Sequence, residues 1–162
     1  MHKDMMNGKM VQYFNGIFDK ETTNNIYNFL KDNVPWTNGI YSKSARKISR
    51  KAYSHNPSSN SIVDIYLNEI VSIALDKIGN CAYYGVYVNY YQNGYDFCPN
   101  HSHPNTRQMV ISFGAVRTLK VGNNNYPMES GDGILFGSSI HGIKEEPSIT
   151  EGRISVAIFL VK

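Results

Sequence analysis

The chain after residue 82 consists of short runs rich in Val, Ile, Tyr and Phe, separated by Asn, Gly and Ser. β-branched and aromatic residues favour strands, and the separating residues favour turns, so an antiparallel sheet is predicted here. Gly122 and Asn123 accept positive φ at small cost and predict a hairpin. The predicted strands are YYGVYVNYY (83–91), MVISFGA (109–115), RTLKVG (117–122), GILFGS (133–138) and RISVAIFLV (153–161).

The first of two predicted helices covers about residues 20 to 32. Asp19 is placed to cap it, because an aspartate side chain accepts a hydrogen bond from a free backbone N–H of the first turn. Apolar side chains recur at spacings of three and four, as one face of a helix requires. They are Ile26, Phe29 and Leu30.

The second predicted helix begins near Ser59 or Ser61 and stops at Gly79, a residue type favoured just past a helix end. Its predicted apolar face comprises Ile62, Ile65, Tyr66, Ile70, Ile73 and Ala74. With helices before about residue 80 and strands after it, the chain is predicted to form a sandwich or open barrel buttressed by helices on one side.

Composition narrows the class of protein. A length of 162 residues without repeats or linkers favours one domain. Two cysteines, Cys81 and Cys98, fit neither a disulfide scaffold nor a four-cysteine zinc site, so a reducing, cytoplasmic location is expected. No run approaches the roughly 18 apolar residues of a membrane span, so no membrane partner is expected, and we expect a soluble monomer. A net charge of +3 permits a nucleic-acid partner without requiring one.

Two histidines, His101 and His103, are separated by one residue. Side chains at i and i+2 of an extended segment point to the same side, so both can bind one metal ion. Of the five histidines, His2 and His55 lie outside the strand region, which leaves His141 as the natural third ligand. Three ligands on one face of a metal leave open positions, as in a catalytic site. The alternative is a chance pair, with His141 making only a surface hydrogen bond.

Several motifs together resemble one family. NYYQNG (89–94), HSH (101–103), VISFGAVRTL (110–119), SGDGILFG (130–137), HGI (141–143) and GRISVAIF (152–159) are similar to the AlkB-type Fe(II)- and 2-oxoglutarate-dependent dioxygenases. That pattern runs N-x-Y-x-x-G, H-x-D, a strand like S-L-G-x-x-R, G-D, H and R. The resemblance covers about residues 83 to 160. It implies one mainly β, α+β domain over 1–162, with a helical and lid region (1–80) and a double-stranded β-helix, or jelly-roll, core (81–162).

The resemblance also implies roles for single residues. His101, His103 and His141 align with the catalytic Fe(II) ligands. The residues aligned with the 2-oxoglutarate contacts are Asn89 and Tyr91. Arg153 aligns with the arginine that binds the distal carboxylate through a fork of two hydrogen bonds. A merely exposed arginine at a strand start fits less well, since the following residues are almost all apolar.

Two residues depart from the family pattern. His103 stands where an aspartate is usual, and three neutral ligands would leave extra positive charge on Fe(II) and change its redox potential. Asp96 is an alternative carboxylate, ranked lower because its five-residue offset from His101 gives no fixed geometry.

Phe159 stands where the family has a second arginine. This change should weaken the grip on the cosubstrate carboxylate nearest the metal. Lys120 and Arg117 are the candidates to compensate for it.

Residues 34–53 combine aromatic side chains with five Lys and Arg residues, a composition that suits the binding of single-stranded nucleic acid. They also resemble the lid of AlkB-type enzymes, loosely, because Ser49 replaces a proline. The predicted substrate-binding residues are Trp36, Arg46, Arg50 and Tyr53. The alternative is a solvated basic loop with Trp36 packed on the core.

The resemblance therefore implies a dioxygenase that oxidatively demethylates bases of single-stranded or base-flipped nucleic acid. An N-methyl carbon is hydroxylated, and the hemiaminal then loses formaldehyde. Two alternatives remain open: a catalytically silent module that binds nucleic acid or protein, and a hydroxylase acting on a protein or small molecule.

Overall fold

The structure is a computed structural model that describes residues 2–6, 9–41 and 46–161, with side chains described for 11–38 and 50–161. The side chain of Arg46, one of the predicted substrate residues, lies outside this described set. Within the described ranges no helix is long and apolar enough to cross a membrane.

Two helices and twelve strands make up the described part of the chain. The helices are α1 (Lys20–Asn33) and α2 (Ile62–Lys77). The strands are β1 (His2–Met6), β2 (Lys9–Phe14), β3 (Thr37–Tyr41), β4 (Arg46–Ser54), β5 (Tyr83–Tyr91), β6 (Cys98–His101), β7 (Arg107–Gly114), β8 (Arg117–Val121), β9 (Asn124–Met128), β10 (Gly133–Phe136), β11 (His141–Ile143) and β12 (Arg153–Leu160).

The strands form two antiparallel sheets. The major sheet has the order β1-β2-β10-β7-β12-β5-β4-β3, and the minor sheet has the order β6-β11-β8-β9. Side chains of both sheets share one apolar cluster, and a second cluster joins the major sheet to the two helices. The predicted mainly β jelly-roll core with helices on one side is confirmed.

Strand β12 lies at the centre of the major sheet, and all eight of its side chains are buried. The even-numbered residues Ile154, Val156, Ile158 and Leu160 belong to the cluster with the helices. The odd-numbered residues face the minor sheet. Because both faces are covered, the strand is almost continuously apolar in sequence.

Both helices form where the sequence predicted them. Asp19 caps α1 by accepting a hydrogen bond from the Thr22 backbone N–H, and Ser61 caps α2 in the same way from Asp64. The predicted apolar face of α2 was partly wrong, because Ile62, Ile65 and Ile73 are exposed. The buried residues of that helix are Val63, Asp64, Leu67, Ile70, Val71, Ala74 and Leu75.

The first 80 residues are not only helical, which corrects the sequence prediction. They supply β1 to β4, four strands that form both outer parts of the major sheet. Their mixed, polar sequences lack the apolar alternation by which the later strands were found. The hairpin at Gly122 and Asn123 is present: Val121 pairs with Asn124, and Gly122 has φ of 60°.

Candidate active site

A cavity of about 600 Å³ opens between the two sheets. Alternate residues of the major sheet line one wall, since side chains two apart on a strand share a face. Those of β12 are Arg153, Ser155, Ala157 and Phe159, and those of β5 include Tyr87, Asn89 and Tyr91. The opposite wall comes from the minor sheet and includes Cys98, His101, Leu119, His141 and Ile143, with His103 just beyond β6.

Three histidines converge on the minor-sheet wall. His101 at the end of β6 pairs in register with His141 at the start of β11, which places the two imidazoles side by side. His103 follows two residues after His101. One ring nitrogen from each of the three lies within 4.8 Å of the others, close enough to share a metal ion. Among the described residues, this is the group of His, Cys, Asp and Glu side chains with that geometry.

Hydrogen bonds orient two of these imidazoles. The Nδ1 atom of His101 lies 2.8 Å from the Pro99 carbonyl oxygen, and that of His141 lies 2.9 Å from the Ser139 carbonyl oxygen. A carbonyl oxygen only accepts, so Nδ1 carries a hydrogen in both rings and Nε2 is the nitrogen left for an ion. Metal-binding histidines typically show this arrangement, with one nitrogen anchored to the protein and the other free for the ion.

The electrostatic surroundings of the three rings differ. Burial lowers the pKa of His141 to about 4, and burial also lowers the pKa of His103. A hydrogen bond with the Cys98 thiol raises the pKa of His101. Near neutral pH, His141 and His103 are therefore neutral, which is the form of imidazole that binds a metal.

Arg153 is a buried cation in the same cavity. Its Nε donates to the Ser112 hydroxyl at 2.7 Å, and its side chain lies over the Tyr91 ring, with Cζ 5.4 Å from the ring centroid. Both terminal nitrogens are buried without a hydrogen-bond partner among the described residues. Burial lowers the pKa of Arg153 to about 10, so the guanidinium is still charged at neutral pH. A charged fork with two unused donors is complementary to a carboxylate.

Two further donors in the cavity also lack partners within the described part of the chain. They are the Nη1 atom of Arg50 and the Nε2 atom of Gln108, and both atoms are buried. The sequence analysis missed Gln108 and also Ser112, which fixes Arg153. Gln108 belongs to no motif, and Ser112, although it lies within VISFGAVRTL, acts on Arg153 only through its place on β7 beside β12. A cavity with several unused donors is suited to a ligand rich in acceptors.

Asn89 and Arg50 meet at the wall formed by β5 and β4. The Nε atom of Arg50 donates to the Asn89 side-chain oxygen at 3.1 Å. Arg50, predicted as a nucleic-acid contact on a lid, thus lies within the cavity.

Burial raises the pKa of the Cys98 thiol, but its hydrogen bond with His101 and the charge of Arg50 outweigh this, and the net pKa is lowered.

The candidates to replace the missing second arginine do not reach the cavity. Arg117 donates to the backbone oxygens of Asn93, Asp96 and Lys144 and to Glu146. Lys120 is exposed on β8 and does not line the cavity.

Asp96, the alternative ligand, accepts a hydrogen bond from the Gln92 backbone N–H at 2.7 Å. It is also absent from the residues that line the cavity. His103 therefore has the better placement for a metal ligand.

Phe159 forms an aromatic wall with Tyr84 and Tyr87. The Phe159 ring centroid lies 5.0 Å from that of His103, 5.4 Å from that of Tyr87 and 6.0 Å from that of Tyr84. Tyr84 and Tyr87 are 62% and 45% exposed, so this end of the cavity reaches the surface. The apolar side chain at position 159 thus gives the cavity an aromatic face directly beside the histidine cluster.

The remaining predicted substrate residues have structural partners. Trp36 packs on the Tyr90 ring, with centroids 5.3 Å apart, and donates to the Lys31 carbonyl oxygen, so it lies on the core and outside the cavity lining. This position matches the alternative given by the sequence, in which Trp36 packs on the core, and its role in substrate binding stays a prediction. Tyr53 does line the cavity, although its hydroxyl donates to Asp64 at 2.9 Å.

The fold is similar to that of several solved oxygenases. The prolyl-4-hydroxylase of Pseudomonas putida has a TM-score of 0.67 at 11% identity, over 94% of this chain and 92% of that chain. A 2OG-Fe(II) oxygenase family oxidoreductase from Burkholderia pseudomallei has a TM-score of 0.64 at 12% identity, over 92% and 84%. OsALKBH1 has a TM-score of 0.59 at 13% identity, over 91% and 96%. No protein-family model and no curated protein matches the chain.

The chain therefore has the fold of the 2OG-Fe(II) oxygenases. The histidine cluster and the buried arginine fork fit Fe(II) and 2-oxoglutarate. Within this fold, the AlkB-type assignment is still a prediction, since a prolyl hydroxylase and OsALKBH1 are both structurally similar.

Proposed function

We propose that this protein is an Fe(II)- and 2-oxoglutarate-dependent dioxygenase. One observation carries the proposal: the metal-competent histidine cluster and the unpartnered Arg153 fork line the same cavity. A histidine cluster alone is compatible with many kinds of metal site. A buried cation with two free donors is costly without an anionic partner, so its place beside the cluster indicates a carboxylate cosubstrate.

His101, His103 and His141 would hold Fe(II), and Arg153 would hold the distal carboxylate of 2-oxoglutarate. With O₂, the two would supply oxidising chemistry when bound: one oxygen atom enters the 2-oxo acid, which becomes succinate and CO₂, and the other enters the substrate. The chain itself orients these groups. Ser112 fixes the guanidinium, and the Pro99 and Ser139 carbonyls fix the tautomers of two imidazoles. Burial of Arg153 keeps water from its fork.

For the substrate, we propose an alkylated base of single-stranded or base-flipped nucleic acid. The aromatic wall supports this, because an extruded planar base stacks on exposed rings such as Tyr84 and Tyr87. The wall lies against His103, so a stacked base would present its alkyl group near the cluster.

The test is turnover with Fe(II), ascorbate, 2-oxoglutarate and a panel of methylated single-stranded oligonucleotides. We expect succinate and formaldehyde in equal amounts from the unaltered protein and from His55→Gln. His55 is a buried histidine bonded to Asn68, outside the cavity lining, and so serves as the matched control. His141→Gln should abolish turnover. Absence of succinate with every substrate would contradict the proposal.

A hydroxylase acting on a protein is the second candidate. The position of Trp36 favours it, since the one tryptophan packs on Tyr90 and lies outside the cavity lining. Two structurally similar proteins are described as prolyl hydroxylases. Proline-containing peptides in the same assay separate the two candidates. If succinate forms only with peptides, the substrate is a protein and not nucleic acid, and the dioxygenase proposal still holds.

A further inference from the structure

We propose that Arg50 is the second guanidinium of the cosubstrate pocket and binds the 2-oxoglutarate carboxylate nearest the metal. This inference rests on the proposed function. It assigns a cosubstrate contact to β4, a strand that the sequence motifs place in the substrate lid.

Charge matching is the first argument. 2-Oxoglutarate is a dianion, and Arg153 supplies a fork for only one carboxylate. Of the Arg and Lys side chains that the structure describes, those that line the cavity are Arg50 and Arg153. A buried carboxylate without a cationic or donor partner would be strongly destabilised. Beside the metal itself, Arg50 is thus the available side-chain cation for the second carboxylate.

The geometry of Arg50 is that of a positioned donor. Its Nε is fixed by the Asn89 side-chain oxygen at 3.1 Å, which orients the plane of the guanidinium. Its Nη1 atom is buried and has no hydrogen-bond partner among the described residues. A neutral amide anchors one side of the guanidinium, and the charge remains available on the other. Such an arrangement suits a bound anion, because an anchored fork loses little side-chain entropy on binding.

The position of Arg50 points to the metal-proximal carboxylate rather than the distal one. Its partner Asn89 pairs in register with Ser155, two residues along β12 from Arg153 in the direction of Phe159, whose ring lies 5.0 Å from that of His103. The distal position is occupied by Arg153, whose neighbours are Ser112 and the Tyr91 ring. Two cations placed two strands apart on one wall of the cavity can bind the two ends of one dianion.

The residue at position 159 completes the argument. Phe159 has no charge, and Arg117 is bound to four other groups. With the cation on β4, the neighbourhood of Phe159 is left apolar and continuous with Tyr84 and Tyr87. With the second positive charge on β4 and not at position 159 of β12, the part of the cavity that would bind the dianion is separate from the aromatic part.

Calorimetric binding to anaerobic, Mn(II)-loaded protein tests the proposal without turnover. The ligands are 2-oxoglutarate and 2-oxopentanoate, which has the same chain length but lacks the distal carboxylate. We expect Arg50→Gln to weaken 2-oxoglutarate binding by about ten- to a hundredfold, because a charge-assisted hydrogen bond is lost. Arg50→Lys, which keeps the charge without the fork, should lose less. Lys51→Gln, which removes a charge from the next position of β4, should bind like the parent.

The two ligands together report which carboxylate Arg50 binds. Preference for 2-oxoglutarate over 2-oxopentanoate should persist in Arg50→Gln and collapse in Arg153→Gln. Metal content and thermal unfolding establish that each variant is folded. If Arg50→Gln does not fold, Arg50→Lys is used in its place. Unchanged 2-oxoglutarate binding in both Arg50 variants, or collapsed preference in Arg50→Gln, would overturn the role of Arg50 alone. A parent protein that binds neither ligand would contradict the proposed function itself.

Discussion

His141 is the most deeply buried of the three clustered histidines, at 5% exposure. Burial lowers the pKa of its imidazole to about 4, and its Nδ1–H donates to the Ser139 carbonyl. The ring is therefore neutral before any metal arrives. No proton has to leave it at neutral pH, so a metal meets a ligand already in its binding form.

Metal-free protein should lose stability as pH falls from about 6.5 to about 4 because of His141. In that window the unfolded chain protonates this imidazole and the folded protein does not. The loss amounts to roughly 2–3 kcal/mol between pH 7 and pH 4.5. Urea unfolding with a chelator at both pH values measures it, and His141→Gln should show a smaller loss. Equal losses in both proteins would show that His141 is not responsible.

How far single residues could be predicted depends on where their partners lie. The histidines and Arg153 belong to spaced motifs, so the sequence indicated them. Ser112 is 41 residues from Arg153 and meets it only because β7 and β12 are neighbours. Arg50 stands in a basic stretch, where charge alone suggested nucleic acid. Its direction into the cavity follows from the pairing of β4 with β5, which no local pattern encodes.

At the scale of elements, β4 is held against α2 by one carboxylate. Asp64, 2% exposed near the start of α2, accepts hydrogen bonds from the Tyr53 hydroxyl, the Asn56 backbone N–H and the Ser61 hydroxyl. Tyr53 belongs to the strand that carries Arg50. This contact therefore links the first turn of a helix to one wall of the cavity.

Replacing Asp64 by alanine should lower the free energy of unfolding by about 2–3 kcal/mol, because several buried donors lose their acceptor. Chemical denaturation measures this change. Asp76→Ala, an exposed aspartate on the same helix, is the matched control and should stay within about 0.5 kcal/mol of the parent. If the two variants have equal stabilities, the hydrogen bonds of Asp64 contribute little.

The elements themselves were predictable to different degrees. β5, β8 and β12 have strong apolar or aromatic sequences and were located almost residue by residue. β1 to β4 lie in the outer parts of the major sheet, where Val11 is the buried residue among the side chains described and the sequence pattern is weak. The face of α2 was misjudged because Ile62, Ile65 and Ile73 suggested an apolar stripe, while tertiary packing buries Val63 and Leu67 instead.

For the whole molecule, the proposed ligands would join the two sheets. The histidine cluster belongs to the minor sheet and its β6–β7 connection, and Arg153 and Asn89 belong to the major sheet. A metal with 2-oxoglutarate would therefore contact both walls. Ligands that bind only the folded state stabilise it in proportion to their concentration above Kd.

Mn(II) and 2-oxoglutarate together, each at about a hundred times Kd, should raise the melting temperature by roughly 5–10 °C. 2-Oxoglutarate alone should have little effect, because its metal-side contacts are missing. A thermal unfolding scan measures both, and His101→Gln should abolish the combined shift. An undiminished shift in that variant would mean that the metal binds elsewhere.

Strand β12 places Arg153 and Phe159 on one face, six residues and roughly 20 Å apart along the chain. Substitutions separated by more than about 10 Å usually have additive effects on free energy. The deeply buried cosubstrate end and the aromatic, solvent-reaching end can thus vary independently over evolutionary time. One strand separates the part of the cavity constrained by a shared reaction from the part in which a new specificity can arise.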